Sequence, residues 1–377
     1  MNKKIALILM VTVLLLGTLS ACAPAPAVEE AAPVVEEAAP AVEEAAPAVE
    51  EAAPAVEEPA APPEVVLVGS DETITAEDFG YDAVPLRDYN IAVIVKSAAI
   101  PVWESHVIAA QKAGAALGVN IFNFAPAKAD NVEEQKRILE DIITMDIDCV
   151  VLAPANTEAV AGPVNDLYEA GIPVVYDNTM GPQGNYLSFV GVDSIEAGNV
   201  IAKAVGEAMG GEGKLLILEG VPGQSTSDLR TQGVKEYMDA NYPNIEYESQ
   251  TGHWQLAEGR TITQDYIVKW GADLKGIVGV GGNMAEGAIE AVKAAGLEGV
   301  AIGGFDVQEP QYVAVENGDE AFTISQSVYD QAYLSVVACV RALNGEAVPN
   351  LILTPLNVVT KDNLNTFDER PEAIRNR

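Results

Sequence analysis

Histidine is nearly absent: the 377-residue chain has His106 and His253 and no other. A Ser-His-Asp triad or a histidine-rich metal centre therefore has little to draw on. His106, set in a helical pattern, reads as a surface or packing residue. Cysteine is almost as scarce, three in all. Cys149 and Cys339 both lie in apolar runs, DCVVLAP and SVVACVRAL, which favours two buried thiols over a disulfide. Bases are few as well, with 21 Lys and Arg against 56 Asp and Glu. Setting aside the eleven Glu of 23–64 and Lys3 and Lys4 leaves 45 acids against 19 bases, a net of −26. Such a surface repels phosphate backbones, so nucleic acid is excluded as a partner. The apolar run at 5–16 is too short for a comfortable membrane span.

That run does have a reading. Lys3 and Lys4 precede it and small residues follow, ending in Leu19-Ser20-Ala21-Cys22. A basic start, a short apolar core and a small-residue end describe a secretory signal peptide over 1–22. LSAC resembles a bacterial lipobox, in which Cys22 is lipidated and anchors the mature protein to the cell membrane. Residues 23–64 then repeat every seven positions, with Val-Glu-Glu beginning at 28, 35, 42, 49 and 56. Proline in nearly every repeat forbids a coiled coil. One Val per repeat leaves little apolar surface to bury. The segment reads as a disordered tether stiffened by Pro and by Glu–Glu repulsion. At about 3.1 Å per residue it reaches on the order of 100 Å.

From residue 65 to 87 the sequence is irregular. At 91–95 a run of β-branched residues and Ala marks a strand buried on both faces. Pro101 suits a first helical turn, and Val107, Ala110, Gly114 and Leu117 recur at helical spacing. Strands and helices then alternate. Strands are expected at 119–124, 149–152, 172–176 and 187–192. A helical pattern follows each of these except 172–176, which leads on to the next strand. The pattern restarts with strands at 214–218, 245–250, 276–280 and 300–305, again alternating with helices. Two successive βαβα halves, 88–192 and 193–306, are each large enough for a core. In such α/β folds ligands sit beyond the carboxyl ends of strands.

Enzyme motifs fare poorly there. Gly279-Val280-Gly281-Gly282 lacks the third glycine of a dinucleotide fingerprint. The GGEGK at 210–214 lacks the Ser or Thr of a phosphate loop and precedes a strand. The residues that do recur at strand ends are planar hydrogen-bonding groups and aromatics: Trp103, Asp177, Asn178, Arg230, Trp254, Asn283 and Asp306, with Gln326 further on. Polyols need such a set, with polar forks for neighbouring hydroxyls and aromatic faces for the C–H surface of the ring. Lys96 follows the first strand and offers a cation and three donors.

Taken together, IAVIVKSAAIPVW from 91, GIPVVYDN at 171–178, VGVDSIEAG at 190–198, GVPGQSTSDLRTQG at 220–233, GGFDVQEP at 303–310 and TISQS at 323–327 resemble the type I periplasmic sugar-binding proteins, in the style of ribose-binding protein. The resemblance covers about 88–360. It implies two doubly wound, Rossmann-like lobes joined by a three-segment hinge. The first would hold 88–192 and 327–353, the second 193–326 and 354–377, with crossings near Val192, Gln326 and Thr354. By the same resemblance Trp103 and Trp254 stack on the two ring faces, and Arg230 is the ligand arginine of the second lobe. Asp306 and Gln326 bind hydroxyls near the hinge. Two departures stand out. Asn178 replaces an arginine, and Gly281-Gly282 replace an Asn-Asp, leaving Asn283 late. Lys96 resembles the lysine of autoinducer-2 binders and of some deoxysugar binders.

The expected function is a lipid-anchored, extracytoplasmic solute-binding protein. It captures a monosaccharide or small polyol and hands it to the permease of an ABC importer. It acts as a monomer, without cofactor, metal or chemistry. A sensory binding protein for an autoinducer-like or deoxysugar ligand is the second reading, and a secreted enzyme on a doubly wound fold is the third.

Overall fold

The computed structural model describes residues 63–368. Cys22, the signal segment and all of the tether except Pro63 and Glu64 lie outside the described residues. The β-branched and Ala-rich runs fold into strands that are buried on both faces, as hydrogen-bonded parallel strands under helices must be. In chain order the elements begin with β1 (Ser70–Thr75) and α1 (Ala76–Phe79). They continue through β2 (Asn90–Ile94), α2 (Pro101–Leu117), β3 (Asn120–Phe124), α3 (Val132–Ile142), β4 (Cys149–Leu152), α4 (Ala161–Glu169), β5 (Val174–Asp177) and β6 (Ser188–Gly191). Next come α5 (Ser194–Ala208), β7 (Gly213–Glu219), α6 (Ser225–Asn241), β8 (Ile245–Thr251), α7 (Leu256–Trp270), β9 (Leu274–Gly279), α8 (Gly282–Ala295) and β10 (Ala301–Phe305). The last are α9 (Glu309–Asn317), β11 (Phe322–Ser325), α10 (Val328–Leu343), β12 (Pro349–Leu353) and β13 (Asn357–Val359).

Two sheets result, ordered β1-β12-β6-β5-β4-β2-β3 and β13-β11-β10-β9-β7-β8. All pairs are parallel except β13 against β11. Each sheet has its chain reversal beside its first central strand, at β2/β4 in one and β7/β9 in the other. An open α/β sheet binds its ligand beyond such a switch point, because the loops there diverge and leave a crevice. The chain passes between the sheets three times: after Gly191, after Ser325 and after Leu353.

Several features are not expected from the sequence. The stretch 65–87, expected to be irregular, contains β1, which pairs in parallel with β12. Its mixed, mostly exposed SDETIT pattern carries no strand period, and the partner β12 supplies its hydrogen bonds. Helix α9 and strands β12 and β13 were likewise not anticipated. Finally, Cys149 and Cys339 are not two separate thiols but a disulfide. Helix α10 is buried along nearly its whole length against β4, β5, β6 and α2. That packing sets Cys339 over the first residue of β4, with the Cα atoms 5.9 Å apart. Apolar flanks predicted burial correctly but could not report that two buried positions 190 residues apart face each other.

Candidate functional site

The loops after β2, β3 and β5 of the first sheet, those after β8, β9, β10 and β11 of the second, and the start of α6 surround one cavity of about 680 Å³ of empty space. Of the residues singled out by sequence, Lys96, Trp103, Asn178, Trp254, Asn283, Asp306 and Gln326 line it. Asp177 and Arg230 do not line it and stand one layer behind. Asp130, Thr226, Gln308 and Gln311 also line it and were not anticipated. Asp130 and Gln308 lie in the turns just before helices, a position that by itself favours any small polar cap. No signal separated them from caps.

Lys96 is 3% exposed. Its Nζ donates to Thr179 Oγ1 at 2.7 Å and to Gln224 Oε1 at 3.0 Å. It lies 5.2 Å from the centre of the Trp103 ring. Burial lowers its pKa to about 8, with Arg230 adding to the fall while Asp130 and Asp177 oppose it. Trp103 sits in the first turn of α2, which Pro101 opens, so the helix start aims the indole at the cavity. Trp254 occupies a left-handed turn at φ 59°. The turn fits because two glycines make room for the indole: a Cβ on Gly220 would lie 2.1 Å from the ring, and one on Gly281 would lie 2.7 Å from it. The glycine that replaced an expected Asn at 281 is thus the space Trp254 occupies.

Asn178 has φ 62°, a conformation that Asn tolerates better than most residues. Its Nδ2 donates to Gln326 Oε1 and to Gln331 Oε1, both at 3.0 Å. Gln326 Nε2 in turn donates to Asp306 Oδ1 at 2.7 Å. Asp306 is another left-handed residue, and its burial raises its pKa. Asn283 reaches back to donate to the Trp254 carbonyl at 3.3 Å. Six non-glycine residues have positive φ among the described residues, and Asp130, Asn178, Trp254 and Asp306 line the cavity. Strained backbone of this kind collects at binding sites, where surrounding packing holds it.

Behind the wall, Arg230 is fixed by donation to the Val280 carbonyl at 3.0 Å and to Gln326 Oε1, and it stacks 4.1 Å from the Phe305 ring centre. Burial lowers its pKa to about 10. Asp177 is buried, which raises its pKa to about 6, opposed by His106 and Lys96. Its Oδ2 is 3.7 Å from His106 Nε2, and neither that nitrogen nor Asp177 Oδ1 has a hydrogen-bond partner among the described residues. His106 is therefore not a surface residue: it is fully buried, with Nδ1 3.0 Å from the Val102 carbonyl.

Comparison with known proteins points one way. A family model described as a periplasmic binding protein domain matches residues 91–347. The ribose import binding protein of Haemophilus influenzae is 29% identical over 271 residues, covering 72% of this chain and 91% of that one. Among solved structures, an ABC transporter solute-binding protein from Agrobacterium vitis with bound D-fucose is 30% identical at a TM-score of 0.70, over 75% of this chain and 98% of that one. A periplasmic solute-binding protein of an ABC transporter from Actinobacillus succinogenes, with bound D-allose, is 25% identical at a TM-score of 0.71, over 74% and 100% of the two chains.

Proposed function

Because the chain belongs to the periplasmic binding protein domain family, we propose that it captures a monosaccharide or related polyol between two lobes and delivers it to an ABC importer. The carrying observation is a single cavity at both switch points, with Trp103 reaching it from the first sheet and Trp254 from the second. Two aromatic faces suit the C–H surface of a sugar ring. Three carboxylates at or behind the wall, Asp130, Asp177 and Asp306, face two cations, Lys96 and Arg230. That surplus of acceptors suits a ligand rich in hydroxyl donors. A carboxylate or phosphate ligand would add to the buried negative charge, which is costly.

In this reading Lys96, Trp103, Asn178, Trp254, Asn283, Asp306 and Gln326 meet the ligand, and Asp177 and Arg230 support them. The family places the protein outside the cytoplasm. The finer reading adds a lipid anchor at Cys22, a monomeric state and no turnover of the ligand. Import is preferred to a sensory role because the solved relatives are ABC transporter solute-binding proteins. A thermal-shift panel of pentoses, hexoses, deoxysugars and polyols, followed by calorimetry, tests the reading. At least one monosaccharide or polyol should bind without being converted. Binding to none of them, or turnover of one, would overturn it. Changing Cys22 to Ser should release the protein from membranes if the anchor is there.

A further inference from the structure

Gln224 lies just before α6 and is fully buried, yet it is not part of the cavity wall. Its side-chain amide is used to capacity. Oε1 accepts from Lys96 Nζ at 3.0 Å and from Trp254 Nε1 at 2.9 Å. Nε2 donates to Asp130 Oδ1 at 2.8 Å and to the Ala155 carbonyl at 3.0 Å. The orientation is forced, since a flipped amide would face two donors with its NH₂ and two acceptors with its oxygen. Lys96, Asp130 and Ala155 belong to loops of the first sheet, whereas Gln224 and Trp254 belong to loops of the second.

We propose that Gln224 is a positioning residue that latches the two lobes together and presets Lys96 and Trp254 before any sugar enters. The proposal rests on the two-lobe reading above. None of the four bonds involves a ligand, so the latch contributes to the closed state of the empty protein. It also fixes what a ligand meets. Lys96 has spent two of its three N–H donors on Thr179 and Gln224, and Trp254 has spent its only one. The ligand therefore finds one ammonium donor and an indole face.

Neighbouring contacts cross the same boundary. Thr157 N donates to the Gly223 carbonyl at 2.9 Å, and Ser105 Oγ donates to Gln308 Oε1 at 2.9 Å. These two lie nearer the surface, where water can replace them at little cost, whereas the buried Thr226 hydroxyl, 3.1 Å from the Asn178 carbonyl, crosses without joining any charge. The bonds of Gln224 join a buried ammonium and a half-buried carboxylate, so their loss leaves both charges short of a partner.

The test uses the full chain with spin labels on unnatural amino acids at Glu140 of α3 and Glu298 after α8, both exposed. The inter-label distance of the sugar-free protein should contain a short, closed population. Gln224→Ala should cut that population at least tenfold while the circular dichroism spectrum is kept. Asp130→Ala should act in the same direction, and Asp130→Asn, which retains an acceptor oxygen, should lose much less. If Gln224→Ala does not fold, the two Asp130 variants carry the test alone. A sugar-free protein with no closed population overturns the proposal, as does one whose closed fraction ignores both Gln224→Ala and Asp130→Ala. The pentoses, hexoses, deoxysugars and polyols of the thermal-shift panel are then added one at a time, D-allose and D-fucose among them. Distances that behave as stated with no response to any sugar or polyol would leave the latch standing and sink the sugar-binding reading.

Discussion

Lys96 and Asp177 lie within one electrostatic neighbourhood, and burial makes the charged form of each costlier, lowering the lysine to about 8 and raising the carboxyl to about 6. Lys96 keeps its proton near neutrality but can no longer be exchanged for a small polar residue without changing what the cavity offers. Lys96→Ser should shift the affinity ranking by more than tenfold, about 1.4 kcal/mol, for at least one sugar of a calorimetric panel. An unchanged ranking would mean that the ammonium only packs. Asp177 makes a prediction about stability. Its folded pKa of about 6 lies above the ordinary 3.8, so the folded state holds more protons between those values. Its contribution to stability is full below pH 3.8 and is lost as pH rises through about 6. The span corresponds to roughly 3 kcal/mol at most. Asp177→Asn, which cannot ionise, should flatten the rise in denaturant midpoint between pH 6 and pH 4. A slope identical to the wild type would show that the carboxyl is not buried as the structure has it.

Among the elements, the β-branched runs at 91–95, 149–152 and 276–280 announced their strands because burial on both faces leaves no alternation to misread. The strand at 70–75 and the short one at 357–359 stayed hidden, since edge strands draw their hydrogen bonds from neighbours distant in sequence. The site was legible in part for the same reason. Residues just past predicted strands, such as Lys96, Trp103 and Asp306, were found. Gln224 and Asp130 were not, because what matters is a partner across the molecule. The disulfide is the clearest case. It joins α10, which follows the second crossing, to β4 of the first sheet. Cys339→Ser should lower the unfolding free energy by about 2–4 kcal/mol in a denaturant titration. A variant as stable as the wild type under oxidising conditions would show that the bond adds nothing. Such a bond also suits an extracytoplasmic protein, where thiols meet an oxidising environment.

At the scale of the whole molecule, three crossings between rigid sheets make a hinge that can open without disturbing either core. Trp103 and Trp254 come from opposite sides, so both indoles can contact one ligand only when the lobes are together. A ligand that prefers this arrangement shifts the population toward it by its differential affinity alone. Trp254→Ala should therefore weaken sugar binding by roughly 2 kcal/mol, with the melting temperature of the sugar-free protein little changed. Small-angle scattering should show the protein contracting when a sugar that calorimetry detects is added. No contraction with a bound sugar in either the wild type or Gln224→Ala, which lacks the latch, would argue against the hinge.

The Cys149–Cys339 bond also has a topological meaning. It closes a covalent ring that takes in β5, β6, two of the three crossings and every strand of the second sheet except β13. The second lobe is thus threaded as a loop whose two roots are welded inside the first. A protease that cuts once anywhere from 150 to 338 should leave a single species on a non-reducing gel, which parts into two fragments only on reduction. An open hinge can then be nicked without the molecule shedding a piece, and the severed lobe keeps both of its strands moored where refolding needs them.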